Sequence, residues 1–250
     1  MFSSDHKGFD VLTMGRVGVD LYPDQVGVGL ADVERFGKYL GGSATNVAVA
    51  AARHGRRTAV ITRTGADPFG RFVHRALAGF GVDDRFVSAV PGLPTPITFC
   101  ELFPPDDFPL YFYREPTAPD LEIRADELDL DAIRAAEVFW VTATGLSQQP
   151  SRDATLAALR ARDTGTTVLD LDYRPQFWPY APAPRHRAGR GGLGRLLRHA
   201  AVDQVRRRRH GMRVRVGGTR ARFEPVHAGT GDQGAVAHLI DGVPLCGRRD

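Results

Sequence analysis

Four short apolar runs rich in β-branched residues recur along the first 172 positions: DVLTMG (10–15), RTAVITRTG (57–65), EVFWVTATG (137–145) and TTVLDLD (166–172). They end on Gly or Asp, the pattern of parallel strands buried on both faces. Between them lie stretches with helical spacing: Ala44–His54, Pro68–Phe80, Leu128–Ala136 and Ser151–Thr164. Ser151 is the expected N-cap of the last and Gly165 its expected stop. Alternation of strand and helix predicts an α/β fold around a parallel sheet.

Two stretches interrupt the alternation. Residues 17–40 and 94–114 are rich in strand and turn formers, and Thr98–Phe103 with Leu110–Arg114 read as a hairpin about Pro104-Pro105-Asp106-Asp107. Extra strands inserted into an α/β unit predict a small sheet covering a site. There are no internal repeats. From Pro179 the pattern fails: neither a 3.6-residue nor a two-residue period survives. Apolar fragments such as GLGRLL and AVAHLI are too few to complete a sheet. That segment is expected to be poorly ordered or to dock loosely.

Composition sharpens this division. The net charge of +4 joins two unlike parts: residues 1–184 carry −6, whereas residues 185–250 carry +10, with 15 Arg and no Lys. The other classes fall away on simple grounds. No apolar run approaches the roughly 18 residues of a membrane span, and MFSSDHKGFDV has no apolar signal core. Two cysteines, Cys100 and Cys246, cannot build a disulfide framework, and no Cys/His spacing suggests zinc. A cytoplasmic protein with no resident metal site is the expectation.

Chemistry concentrates in two segments. Gly41-Gly42-Ser43-Ala44-Thr45-Asn46 runs into a small-residue helix. Paired glycines admit a ligand close to the backbone, the helix start offers free N–H groups, and Asn46 offers a donor and an acceptor to a sugar hydroxyl. A tight turn capping a core helix is the competing explanation. Gly15-Arg16-Val17-Gly18-Val19-Asp20 follows the first strand and places Asp20 where α/β folds bind ligands. A solvated turn aspartate is the alternative there.

Together with ITRTGADPFGRFVHRALAGFGVD (61–83), whose Gly65-Ala66-Asp67-Pro68-Phe69-Gly70 matches a G-x-D-x-x-G element, these segments resemble the PfkB, or ribokinase-like, family of carbohydrate kinases over residues 9–178. The runs Asp20-Leu21-Tyr22, Phe108–Glu115 and Asp170–Trp178 are similar to kinases of 5-dehydro-2-deoxygluconate, a step of inositol catabolism, and of 2-keto-3-deoxygluconate. The resemblance implies a ribokinase-like parallel sheet flanked by helices, with a small β-lid at 17–40 and 94–114. It implies ATP and Mg2+ as cofactors, a sugar acid as substrate, and a homodimer through the lid as an option. Asp20, Gly41, Gly42 and Asn46 would hold the sugar. Arg114, at the end of the hairpin, and Arg174 would meet its carboxylate, since Arg pairs bidentately with such groups. A surface-strand role for Arg114, and a structural pair of Arg174 with Asp170 or Asp172, stand beside that assignment.

The family's second signature, D-T-x-G-A-G-D, supplies the catalytic base and anion hole. The nearest string is Gly229-Thr230-Gly231-Asp232, where Asp232 would be the base, but Val226-His227-Ala228 precede it in place of an Asp-Thr pair. Residues 1–182 therefore read as the N-terminal part of the kinase domain, and 183–250 as an Arg-rich tail of foreign character, the product of a reading-frame shift near residues 183–200 in a GC-rich gene. Two alternatives stay open: a catalytically silent sugar-binding remnant, and a basic nucleic-acid-binding tail. The second is disfavoured because Phe223 is the only aromatic residue between 185 and 250.

Overall fold

A computed structural model of the chain describes residues 8–172, 174–178 and 213–215. Its central sheet is parallel throughout. The strands are β1 (Val11–Met14), β4 (Thr58–Gly65), β5 (Val82–Asp83), β6 (Val87–Val90), β9 (Val138–Thr142), β10 (Thr166–Asp170) and β11 (Arg213–Arg215), in the order β11-β10-β9-β1-β4-β5. The long strand β4 pairs with β5 at its start and with β6 along its second half.

Side-chain alternation along these strands builds two cores. Ala59, Ile61, Phe139 and Val141 point to one face with Leu12 and Met14, while Val60 and Trp140 point to the other. Helices α1 (Ser43–Arg53) and α2 (Pro68–Gly79) cover the Trp140 side, burying Ala44 and Ala48, and Val73 and Leu77, at spacings of about one helical turn. Helices α3 (Leu130–Ala135) and α4 (Ser151–Ala161) cover the Phe139 side through Ile133, Ala154, Ala158 and Leu159. The result is the three-layer α/β arrangement that the alternating pattern predicts. Trp178 packs at the margin of the Phe139 core.

A second sheet of four strands carries the interrupting segments: β2 (Gly18–Pro23), β3 (Phe36–Gly41), β7 (Ile97–Cys100) and β8 (Leu110–Tyr113), in the order β3-β2-β7-β8. The predicted hairpin forms with Thr98 opposite Phe112, and a bridge between Phe103 and Asp107 closes the turn.

Three expectations need correction. Ser151 lies inside α4 rather than capping it: Pro150 holds the N-cap, and the Ser151 hydroxyl donates back to the Gly145 and Gln148 carbonyls at 2.7 and 3.2 Å. The same helix stops at Ala161, short of Gly165, because Arg162 leaves it to serve the neighbouring helix end. Its guanidinium, 1% exposed, donates to the carbonyls of Arg134 and Ala136 at 3.0 and 2.8 Å, groups that α3 leaves unsatisfied. Finally, Arg213–Arg215, within the tail expected to lack strands, pairs in parallel with β10. The rest of that tail, Asp232 included, lies outside the described residues. Among the described residues no helix is long and apolar enough to cross a membrane.

Candidate functional site

The carboxyl end of β1 and the edge of the second sheet meet at Gly15–Gly18. β2 leads away from this point with alternating burial: Val19 enters the core and Asp20 faces a cleft of about 270 Å3. Gly41, the last residue of β3, lies against that carboxylate, and a Cβ there would come within 2.1 Å of Asp20 Oδ1. Gly42 has φ +103°, and a Cβ on it would sit 2.3 Å from the Arg16 carbonyl oxygen. The glycine pair is thus required by close packing of the β3–α1 turn against the β1–β2 connection.

Helix α1 starts at Ser43 with no side chain capping it. The Thr45 hydroxyl instead donates backward to the Gly41 and Gly42 carbonyls at 2.6 and 2.8 Å. The first backbone N–H groups therefore stay available to a ligand oxygen. Gly42, Ser43 and Asn46 form this wall of the cleft, and Thr98, Leu110 and Phe112 of the second sheet form another. Asp170, Asp172 and Arg174, at and just beyond the carboxyl end of β10, complete it together with Arg16.

Burial sets the electrostatics. It raises the Asp20 carboxyl above the usual carboxylate value, against the pull of Arg16, a hydrogen bond from Thr98, and Arg174. It also pulls the Arg16 guanidinium down to about 10, helped by the like charge of Arg114 and opposed by Asp172. Asp172 stands between two guanidiniums, with Oδ2 3.7 Å from Arg16 Nη2 and Oδ1 3.3 Å from Arg174 Nε. Neither approach has hydrogen-bond geometry: Arg16 Nε, Arg174 Nε and Asp172 Oδ2 are buried without a hydrogen-bond partner, as is Ser43 Oγ. Two edge-to-face rings, Phe112 and Phe177, 5.0 Å apart, adjoin the cations. Arg16 lies 5.3 and 5.6 Å from their centroids.

The cleft thus gathers Asp20, Gly42, Asn46 and Arg174 of the residues singled out in the sequence, with Gly41 packed directly behind Asp20. Arg114 is placed differently. It does not line the cleft, because its guanidinium donates to both carboxylate oxygens of Asp120 at 3.0 Å, and both side chains are buried. Arg174 combines both of its readings, lining the cleft and pairing with Asp172. The residue that the sequence reading missed is Arg16. It sits inside the quoted Gly15–Asp20 motif, but a position after a strand carries no mark of burial.

Asp67 of the G-x-D-x-x-G element serves structure. It caps α2 through the Gly70 N–H at 2.7 Å and accepts the Thr95 N–H and hydroxyl at 2.7 and 2.8 Å, tying α2 to the loop before β7. A larger cavity, about 680 Å3, opens at the amino ends of β1, β4 and β5. Its arginines are engaged, Arg57 with Asp10 and Arg85 with Asp83. It also lies away from the strand ends where α/β folds bind ligands.

Residues 9–189 match the family described as pfkB family carbohydrate kinase. The chain belongs to the pfkB family. Among curated relatives, the 5-dehydro-2-deoxygluconokinase of Clostridium perfringens is 36% identical over 177 residues, covering 70% of this chain and 52% of that protein. The chain therefore spans about half the length of the curated relatives it matches. Among solved structures, a PfkB protein from Polaromonas superposes with a TM-score of 0.64 at 25% identity, covering 83% of this chain and 65% of that one. A sugar kinase from Pyrococcus horikoshii, solved in complex with ATP, gives 0.64 at 23% identity over 76% and 59%. The pfkB match takes in every described residue of the cleft.

Proposed function

We propose that this chain binds a sugar acid for ATP-dependent phosphorylation, with 5-dehydro-2-deoxygluconate as the best specific candidate. The observation that supports this most is the cleft itself: hydroxyl-reading groups and buried guanidiniums share one small space at the strand ends. Asp20 and Asn46, with the start of α1 behind Gly41 and Gly42, would hold the sugar hydroxyls. Arg174 would meet the carboxylate, while Arg114, engaged by Asp120, stays outside the cleft. At about 270 Å3 the cleft is smaller than the 300 to 1,000 Å3 of drug-sized ligand sites, as suits one small polyol. The name of the Clostridium relative supports the specific sugar acid.

In such phosphoryl transfer the protein mostly positions the hydroxyl and stabilises charge. The described residues supply the positioning. The base proposed from sequence, Asp232, lies outside them. Among the described residues no three His, Cys, Asp or Glu side chains gather as metal ligands. Magnesium in this proposal arrives with the nucleotide, since it is commonly held by substrate phosphates and few protein ligands.

The chain's coverage of about half its relatives favours a second reading, a sugar-binding remnant without turnover. Calorimetry with 5-dehydro-2-deoxygluconate, paired with an ADP-release assay, separates the two. Binding with ADP release supports the kinase, binding alone supports the remnant, and absence of binding to any of a panel of sugars and sugar acids overturns both.

A further inference from the structure

We propose that Arg16 is the residue that reads the acid group of the ligand, its Nε–H, which has no hydrogen-bond partner, closing together with the Arg174 guanidinium on one carboxylate inside the cleft. This rests on the sugar-acid reading above and assigns the discrimination between acid and neutral sugar to a particular side chain.

The first support comes from comparing three buried arginines. A guanidinium carries five N–H donors, and buried donors are almost always satisfied. Arg162 spends its donors on the carbonyls of Arg134, Ala136 and Thr166 and on the Thr167 hydroxyl. Arg114 donates to both oxygens of Asp120. Arg16, only 8% exposed, has one ion pair at 3.7 Å, beyond hydrogen-bond reach, and a buried Nε with no partner. Of these three, it alone faces the cleft.

Orientation gives the second support. Arg16 and Arg174 each lie 5.3 Å from the centroid of the same Phe112 ring. Stacking on that ring restrains both planar forks while leaving their edges to a ligand. The third support is charge type. Asp172 already approaches both guanidiniums, so a carboxylate is compatible with their surroundings. The nearby carboxylates of Asp20, Asp170 and Asp172, which also line the cleft, oppose a dianion such as a phosphate ester. A singly charged acid meets about half that opposition while keeping its attraction to both guanidiniums.

The test is a calorimetric comparison of 5-dehydro-2-deoxygluconate with its carboxamide, on the full chain and on Arg16→Met, Arg16→Lys and Asp20→Ala. The wild-type chain is expected to bind the acid at least tenfold more tightly than the amide. Arg16→Met is expected to cut that preference to about twofold or less, weakening the acid more than the amide. Asp20→Ala is expected to weaken both ligands and keep their ratio. Should Arg16→Met not fold, Arg16→Lys gives the same reading: a preference reduced threefold or more supports the proposal, and an unchanged one overturns it. Equal binding of acid and amide by the wild-type chain overturns the Arg16 assignment while sustaining the sugar reading. Failure of the wild-type chain to bind either ligand overturns the sugar-acid reading itself.

Discussion

Asp20 destabilises the fold at the position where it is proposed to serve the ligand. Burial raises its carboxyl above the unfolded value of 3.8. As pH climbs from that value through the folded one, the folded chain holds a proton that the unfolded chain has already released. Stability therefore falls across that window and stays lower at neutral pH. Asp20→Asn removes the penalty. It is expected to raise the thermal unfolding midpoint at pH 7, and to weaken sugar-acid binding by about 2 kcal/mol, roughly thirtyfold, through loss of charged hydrogen bonds. A lower midpoint, or unchanged affinity in a titration, contradicts that account. Asp20, Gly41, Gly42 and Asn46 were legible in the sequence because each belongs to a short motif whose geometry is local. Arg114 and Arg16 were not, since their roles depend on partners met only in the fold. Asp120 is six residues from Arg114, yet nothing in the sequence marks them as a pair. The burial of Arg16 is created by Phe112 and Phe177, which arrive from a different sheet and from the end of β10.

Among the elements, α2 shows how one side chain can join two segments. Burial works against ionisation of Asp67, but N–H donors of Thr95 and Gly70 and the Thr95 hydroxyl prevail and hold its pKa below the usual value. A lowered folded pKa means stability that is fully present above the unfolded value of 3.8 and lost as pH falls through the folded one. Asp67→Ala is expected to cost about 1 to 2 kcal/mol at neutral pH through the lost cap. In urea denaturation the gap from wild type should narrow below about pH 4; a gap independent of pH removes the carboxylate from the explanation. Element existence was legible from periodicity, and element ends less so. α4 begins at Ser151 as expected in position, but with a different role for the hydroxyl, and it ends early because Arg162 finds acceptors on α3. Such endings are decided by a neighbouring element, which a local pattern does not contain.

For the whole molecule, the change of character along the chain and the family match fall together. The match ends at residue 189, inside the 183–200 window placed for the shift and shortly after Pro179, where periodicity fails. A shifted reading frame in the gene would account for both, and sequencing the locus checks it. The expected result is a D-T-x-G-A-G-D signature encoded downstream in another frame; the same signature in the frame of residues 1–180 refutes the shift. The parallel sheet and its two helical layers were legible because strand and helix periods alternate cleanly through residue 172. The strand Arg213–Arg215 was not, as three residues carry no period and its partner β10 lies more than forty residues earlier. The placement of the two tryptophans has an optical consequence. Both indoles of the chain, Trp140 in one core and Trp178 beside the other, belong to the part preceding the Arg-rich segment. Intrinsic fluorescence excited at the red edge therefore originates only from residues that precede the tail. Because each indole packs against a different core, their combined emission follows the opening of both helical layers of the sheet.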